Sequence, residues 1–260
     1  MIIYDKLNDY LQVGRLGNQM FEIASTIGIA IKNKHNYAFP LWTYNNYYTY
    51  FENPLPSIPT YLNYTRLKES TINKYQIFDI KPDINYALSG YFQCYEYFDF
   101  CKDIILNYFK LKQIHQNHIN YNYKFNNSVS IHVRRGDYIN FPNYHPIQSI
   151  EYFNNALNLI KQKDNIDRIY ICSDDIQWCK DNLKYNNIIY VEGESPIIDM
   201  FIMANCNHNI IANSSFSWWS AYLNKNPNKI VIAPKNWWGP DYIKQGLNTE
   251  QLLPKQWIQL

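Results

Sequence analysis

No run of lysine and arginine forms a basic stripe in this chain, no C-x-x-C pair joins its cysteines, and no uninterrupted apolar stretch approaches the ~18 to 20 residues that span a bilayer. Each absence removes a class of function. With a formal net charge of only +2 the surface is not built for nucleic acid or an anionic membrane, so any bound anion is held by local groups. The N-terminus MIIYDKLNDYLQVGRLGNQ lacks a basic patch followed by an apolar segment, and the expectation is a soluble, cytoplasmic chain with no integral membrane segment and no nucleic-acid partner. The cysteines Cys94, Cys101, Cys172, Cys179 and Cys206 are odd in number and lie mostly in apolar sequence, which points to buried free thiols in a reducing compartment. No internal repeat or heptad is visible. The patterns G-x-G-x-x-G and G-x-x-x-x-G-K-[ST] are missing too, so neither dinucleotide chemistry nor ATP hydrolysis is supported.

What is present describes a globular protein: 260 residues, 47% hydrophobic, 17% aromatic and 18% charged, enough for one large domain or two small ones sharing a cleft. The 25 tyrosines reflect AT-rich codon usage as readily as function. In the C-terminal half, short β-branched runs alternate with helical patterns, as a parallel, doubly wound α/β sheet requires. The expected strands are Ser128 to Val133, Arg168 to Cys172, Ile188 to Val191, Asn209 to Ala212 and Lys229 to Ala233. A helix starting near Ser149 places Ile150, Phe153, Leu157 and Ile160 on one face. Another has Ser195 as N-cap and Pro196 at the first helical position, with Phe201, Ile202 and Cys206 facing inward. The N-terminal half opens with a predicted β-α-β unit: strand Tyr10 to Val13, turn Gly14 to Asn18, a helix through Ile31 and a strand around Tyr37 to Phe39. From Pro40 to Asp83 no element is assigned, since Pro54, Pro56 and Pro59 interrupt any long one. The polar stretch His115 to Asn127 reads as a linker and sets the expected boundary near Asn126: residues 1–126 as an N-terminal, acceptor-side α/β domain and 127–260 as a C-terminal Rossmann-like domain. The last helix is free to pack back on the first domain.

Four segments carry chemistry. HVRRGDY, His132 to Tyr138, leaves a strand for a glycine-containing loop, which puts its charges at the strand's C-terminal edge, where α/β folds bind ligands. Alternation separates Arg134 from Arg135: Arg134 shares a face with His132 and enters the cleft, while Arg135 braces the loop or pairs with Asp137. A guanidinium suits a diphosphate because its fork makes paired charge-assisted hydrogen bonds at any relevant pH. The plainer alternative is a structural Arg–Asp pair. GRLGNQ, Gly14 to Gln19, brings Arg15 and Asn18 to the start of a helix whose free N–H groups favour anions, or is an ordinary turn. NSSFSWWSAYLN, Asn213 to Asn224, offers Ser214 and Ser215 at a helix N-terminus, with simple capping as the alternative for Ser214 and core packing for Trp218 and Trp219. CSDD, Cys172 to Asp175, brings Asp174 off a strand, where its carboxylate can accept the paired N–H donors of guanine, cap a helix, or join Asp175 in imitating a metal site.

In this order, with KIVIAPKNWW, these segments resemble the α1,2-fucosyltransferases of glycosyltransferase family 11, from about Gly14 to Trp237. The resemblance implies a GT-B-like α/β fold of two Rossmann-type domains facing a cleft. It further implies inverting, metal-independent transfer of L-fucose from GDP-fucose to O2 of a terminal galactose on a glycan. By the same resemblance Arg134 contacts the donor diphosphate, His132 supports it, Asp174 reads guanine, Ser215 and Phe216 contact phosphate and nucleoside, and Arg15 and Asn18 reach over from the N-terminal domain. Arg135, Asp175 and Ser214 join this substrate-binding set. No metal or other cofactor is expected. Asp137 is the candidate general base, with Glu22, Glu96 and His145 as further candidates. Glu22 departs from the pattern, standing where many members have Gln, and Thr43 to Lys74 fits no part of it. Two rivals remain at this stage: a metal-dependent GT-A-type transferase using Asp174 and Asp175, and a non-catalytic sugar- or nucleotide-binding protein with Trp218, Trp219, Trp237 and Trp238 as stacking surfaces.

Overall fold

The computed structural model describes all 260 residues apart from the side chain of Tyr10. The chain forms two compact units, Met1–Gln116 with Thr249–Pro254, and Asn117–Asn248 with Lys255–Leu260.

The first unit comprises β1 (Ile2–Ile3), α1 (Tyr10–Val13), α2 (Leu16–Lys32), β2 (Tyr37–Ala38), β3 (Thr65–Lys68), β4 (Tyr86–Ser89) and α3 (Lys102–Tyr108). Its strands pair in parallel in the order β2-β1-β4-β3. α2 is buried from Leu16 to Ala30 at all but one position, and at Gly28 it runs so close to the next layer that a Cβ would fall 2.0 Å from the Tyr97 carbonyl oxygen. The segment Tyr10 to Val13 is a short helix, not the expected strand. The Asp9 carbonyl accepts the N–H groups of Gln12 and Val13 and closes a helical turn, and the strand that opens the sheet lies earlier, at the apolar pair Ile2–Ile3. GRLGNQ therefore joins two helices. Within the unassigned stretch Pro40 to Asp83, β3 forms the edge of the sheet.

The predicted linker His115 to Asn127 is largely helical: α4 (Gln113–Asn122) runs through it, and the compact units divide inside that helix rather than near Asn126. Its polar sequence buries a single residue, Ile119.

The second unit adds β5 (Ser128–Val133), α5 (Ile150–Lys161), β6 (Arg168–Ser173), α6 (Ile176–Asn182), β7 (Ile188–Tyr190), α7 (Pro196–Asn205), β8 (His208–Ile210), α8 (Ser215–Leu223), β9 (Val231–Ala233), α9 (Pro240–Lys244) and β10 (Ile258–Gln259). All five expected strands form, in one parallel sheet of order β10-β9-β8-β5-β6-β7. Ser149 and Ser195 cap α5 and α7 through their side chains, and Pro196 opens α7. Phe153, Leu157 and Ile160 join one buried cluster with residues of β5, β6, β8 and β9, whereas Ile150, the first helical residue, is exposed; Ile202 and Cys206 are buried and Phe201 only partly so. β6 and β7 extend the sheet on one side of β5, and the chain then returns through α7 to lay β8 on the other. The order thus reverses between β5 and β8, the kind of crevice where open α/β sheets bind ligands.

Candidate active site

β5 is buried along its whole length, so the chain leaves the sheet abruptly at Arg134. The Arg134 guanidinium lies between two carboxylates, Nη2 donating to Asp137 Oδ1 at 2.5 Å and Nη1 standing 2.9 Å from Asp174 Oδ2, and its carbon sits 5.2 Å over the Tyr138 ring. Asp137 therefore pairs with Arg134 and not with Arg135. Arg135 turns the other way, its Nε donating to Asp175 Oδ2 at 3.0 Å and its guanidinium lying 4.1 Å over the Trp178 ring. The reason is local: Asp175 N-caps α6 by accepting the Trp178 N–H at 3.2 Å, which presents carboxylate and indole together to Arg135. Asp174 also accepts the Arg135 backbone N–H at 2.9 Å, and a Cβ at Gly136 would stand 2.4 Å from its Oδ2, so glycine is what lets carboxylate and loop meet. Each carboxylate oxygen keeps lone-pair capacity for a further donor.

His132 is 5% exposed and packs on Phe216, ring centroids 5.3 Å apart. Burial, reinforced by Arg134, pushes its pKa down to about 3, so the imidazole is neutral. Its Nδ1 makes no hydrogen bond among the described residues. Ser214 caps α8, its Oγ accepting the Phe216 N–H at 3.3 Å. The first turn of α8, with Ser215, lies past the end of β8 at the reversal point, and its N–H groups give that position a partial positive charge.

Asn213 and Gln148, absent from the predicted set, tie these loops together. Asn213 Nδ2 donates to the Pro146 and Trp237 carbonyls at 3.0 Å each, its Oδ1 accepts from Gln148 Nε2 at 3.1 Å, and Tyr138 Oη donates to its carbonyl at 3.0 Å. The one sequence signal for Asn213 was an amide directly after a buried strand.

In the first unit, Arg15 occupies the N-cap position of α2 and is exposed, and Asn18, in the first turn, accepts from Gln93 Nε2 at 2.9 Å. Gly14 has φ +76°, and a Cβ there would fall 2.3 Å from Asn18 Nδ2. Among the other base candidates, Glu22 is fully buried, Glu96 accepts from Gln251 Nε2, and His145 is stacked on Tyr138 at 4.5 Å. Trp218, Trp219 and Trp237 are core residues, which removes them as stacking surfaces. Asp174 and Asp175 each face a guanidinium, and among the described residues no group of three or more His, Cys, Asp and Glu is placed to hold a metal ion.

The family model for Glycosyl transferase family 11 matches residues 4–260. The O-antigen biosynthesis glycosyltransferase WbnK of Escherichia coli is 34% identical over 189 residues, covering 67% of this chain and 61% of that protein. An alpha-1,2-colitosyltransferase of Escherichia coli is 36% identical over 145 residues (52% and 48%), and the galactoside 2-alpha-L-fucosyltransferase SEC1 of Bos taurus 27% over 235 residues (81% and 62%). The chain spans between about half and two thirds of the length of these relatives. Among solved structures, POFUT1 in complex with GDP superposes with a TM-score of 0.60 at 12% identity, covering 89% of this chain and 97% of that one. The fucosyltransferase NodZ from Bradyrhizobium gives 0.57 at 15%, covering 89% and 94%. At such identities the likeness establishes fold alone, and that fold is GT-B-like, α/β with parallel sheets. Matched by the family model from its fourth residue to its last, the chain belongs to glycosyltransferase family 11.

Proposed function

We propose that the protein transfers L-fucose from GDP-fucose to O2 of a terminal galactose on a glycan acceptor, with inversion at the anomeric carbon and without a metal ion. One observation carries this: the ends of β5, β6 and β8, three strands side by side, bring HVRRGDY, CSDD and NSSF to one edge of the sheet at its reversal point. The acceptor hydroxyl attacks the anomeric carbon from the face opposite GDP, the C–O bond to the β-phosphate breaks, and charge grows on the departing diphosphate. Arg134, with the N–H groups that open α8, stabilises that charge more in the transition state than in the ground state. Asp174 takes the N–H pair of guanine, while Ser215 and Phe216 line the phosphate and nucleoside. Asp137 remains the assigned proton acceptor, and its bond to Arg134 gives it a second task. The colitosyltransferase relative favours one alternative transferred sugar, colitose.

Calorimetric titration in EDTA tests the site: GDP should bind at least ~10-fold more tightly than UDP or ADP, since the guanine edge offers a donor pair that the other bases lack. Equal affinity for UDP would overturn the assignment.

A further inference from the structure

Two groups at the sheet edge are suited to the charge of a diphosphate, Arg134 after β5 and the N–H groups that open α8 after β8. The β5–β8 ladder stops at Ile131 and Ile210, before the chain reaches either Arg134 or Asn213, so a contact beyond the ladder has to set the distance between them.

Tyr138 spans that gap. After Gly136 the chain turns through a short 3₁₀ segment, Asp137–Asn140, which brings the side chains of Asp137 and Tyr138 back to Arg134. The Tyr138 ring centroid lies 5.2 Å from the guanidinium carbon, within range of a cation–π attraction, and the hydroxyl at the far end of the ring donates to the Asn213 carbonyl at 3.0 Å. Asn213 is 2% exposed and stands directly before Ser214, the N-cap of α8. Its carbonyl therefore falls outside the helical ladder and takes its hydrogen bond from Tyr138.

These contacts close into a ring. His145 stacks on Tyr138 at 4.5 Å with 15° between the planes, and it is backed by Tyr242 at 5.4 Å and Trp238 at 6.2 Å. The next residue, Pro146, offers its carbonyl to Asn213 Nδ2 at 3.0 Å. Asn213 thus holds Tyr138 by its backbone and the His145 segment by its side chain, and the tyrosine ring cannot shift without breaking a hydrogen bond or a stack.

We propose that Tyr138 is a positioning residue of the donor site, whose ring steadies the Arg134 guanidinium while its hydroxyl fixes the start of α8. The arginine and the helix N–H groups then meet a β-phosphate at one set separation, as preorganised charge stabilisation requires. This role rests on the edge being a nucleoside-diphosphate site and is independent of the sugar transferred.

GDP and GMP share guanosine and the α-phosphate and differ in the β-phosphate, so a residue that only supports the fold affects both, whereas one that positions Arg134 affects GDP. Tyr138→Phe keeps the ring and removes the hydroxyl. In calorimetric titration of the whole protein it should weaken GDP binding by at least ~5-fold, the scale of one hydrogen bond, leave GMP affinity within ~2-fold and move the thermal midpoint by less than ~4 °C. On an Arg134→Ala background the same change should weaken GDP binding by less than ~2-fold, because the arginine it positions is gone. Equal losses for GDP and GMP, the same loss with and without Arg134, or a Tyr138→Phe chain that does not fold would each overturn the role. A wild type that binds neither nucleotide, or both alike, would overturn the nucleoside-diphosphate reading and this role together; a wild type that prefers GDP beside an unaffected Tyr138→Phe would overturn the role alone.

Discussion

At the scale of single residues, the account turns on Arg134. Its guanidinium is held by Asp137 and Asp174, so under the proposed function its charge is fixed in orientation rather than recruited during the reaction. Arg134→Ala should lower kcat by roughly 10²-fold or more while leaving the thermal midpoint nearly unchanged; near-normal turnover in a folded variant would defeat the role. Arg134→Lys should not restore it, because one ammonium cannot face both carboxylates with the same geometry. Asp137→Asn separates two tasks: as the base, Asp137 should cost ~10²-fold or more in kcat at unchanged GDP affinity, whereas a residue that only holds Arg134 should weaken GDP binding too. Most of this constellation is legible in the sequence, since strand alternation distinguishes Arg134 from Arg135 and the glycine marks the loop. The pairing was not. Which arginine takes Asp137 depends on Asp175 capping α6 and drawing Arg135 onto Trp178, a contact made some forty residues downstream. The Asn213 and Gln148 knot was hidden for the same reason, because its partners come from loops far apart in the chain.

At the scale of elements, the central strands are legible because burial on both faces demands apolar, β-branched runs, and Ser-Pro or a lone Ser marked two helix starts correctly. Ser149→Ala removes the hydroxyl that accepts the Tyr152 N–H at 3.1 Å and should cost about 1 kcal/mol, readable in urea unfolding. Gly28→Ala should be worse despite alanine's higher helix propensity. The added methyl would meet the Tyr97 and Phe98 backbone at 2.0 to 2.9 Å, atoms that cannot swing aside, so a loss of at least ~2 kcal/mol is expected, and a stabilised variant would contradict the packing. The misreadings have equally physical causes. Tyr10 to Val13 is too short for periodicity to separate strand from helix, and α4 buries only Ile119, so its sequence carries almost no apolar stripe.

At the scale of the molecule, two compact α/β units with parallel sheets follow from the alternation of strand and helix patterns, while the division inside α4 and the grouping of Thr249–Pro254 with the first unit leave no compositional mark. Buried ionisable groups set the pH range of the whole. His132, held at about 3, refuses a proton that the unfolded chain takes up, so its contribution to stability is lost as pH falls below about 6.5. Glu69 and Asp199, lifted by burial to about 7, work in the opposite sense, since the unfolded chain releases their protons first and stability falls as pH rises. Above about pH 6.5 the His132 contribution is complete while both carboxyls still titrate, and they outweigh the opposite pull of the single Met1 amine, whose pKa burial lowers, so the thermal midpoint should decline from there to about pH 8; a rising midpoint over that interval would contradict the burial of these carboxyls. The most direct test of the functional claim uses the whole protein with GDP-fucose, a panel of galactose-terminated glycans and EDTA, with the product linkage read by NMR. The account predicts fucose on O2 of galactose with inverted anomeric configuration and an undiminished rate in EDTA; no transfer to any glycan, or transfer only after Mn²⁺ is restored, would contradict it.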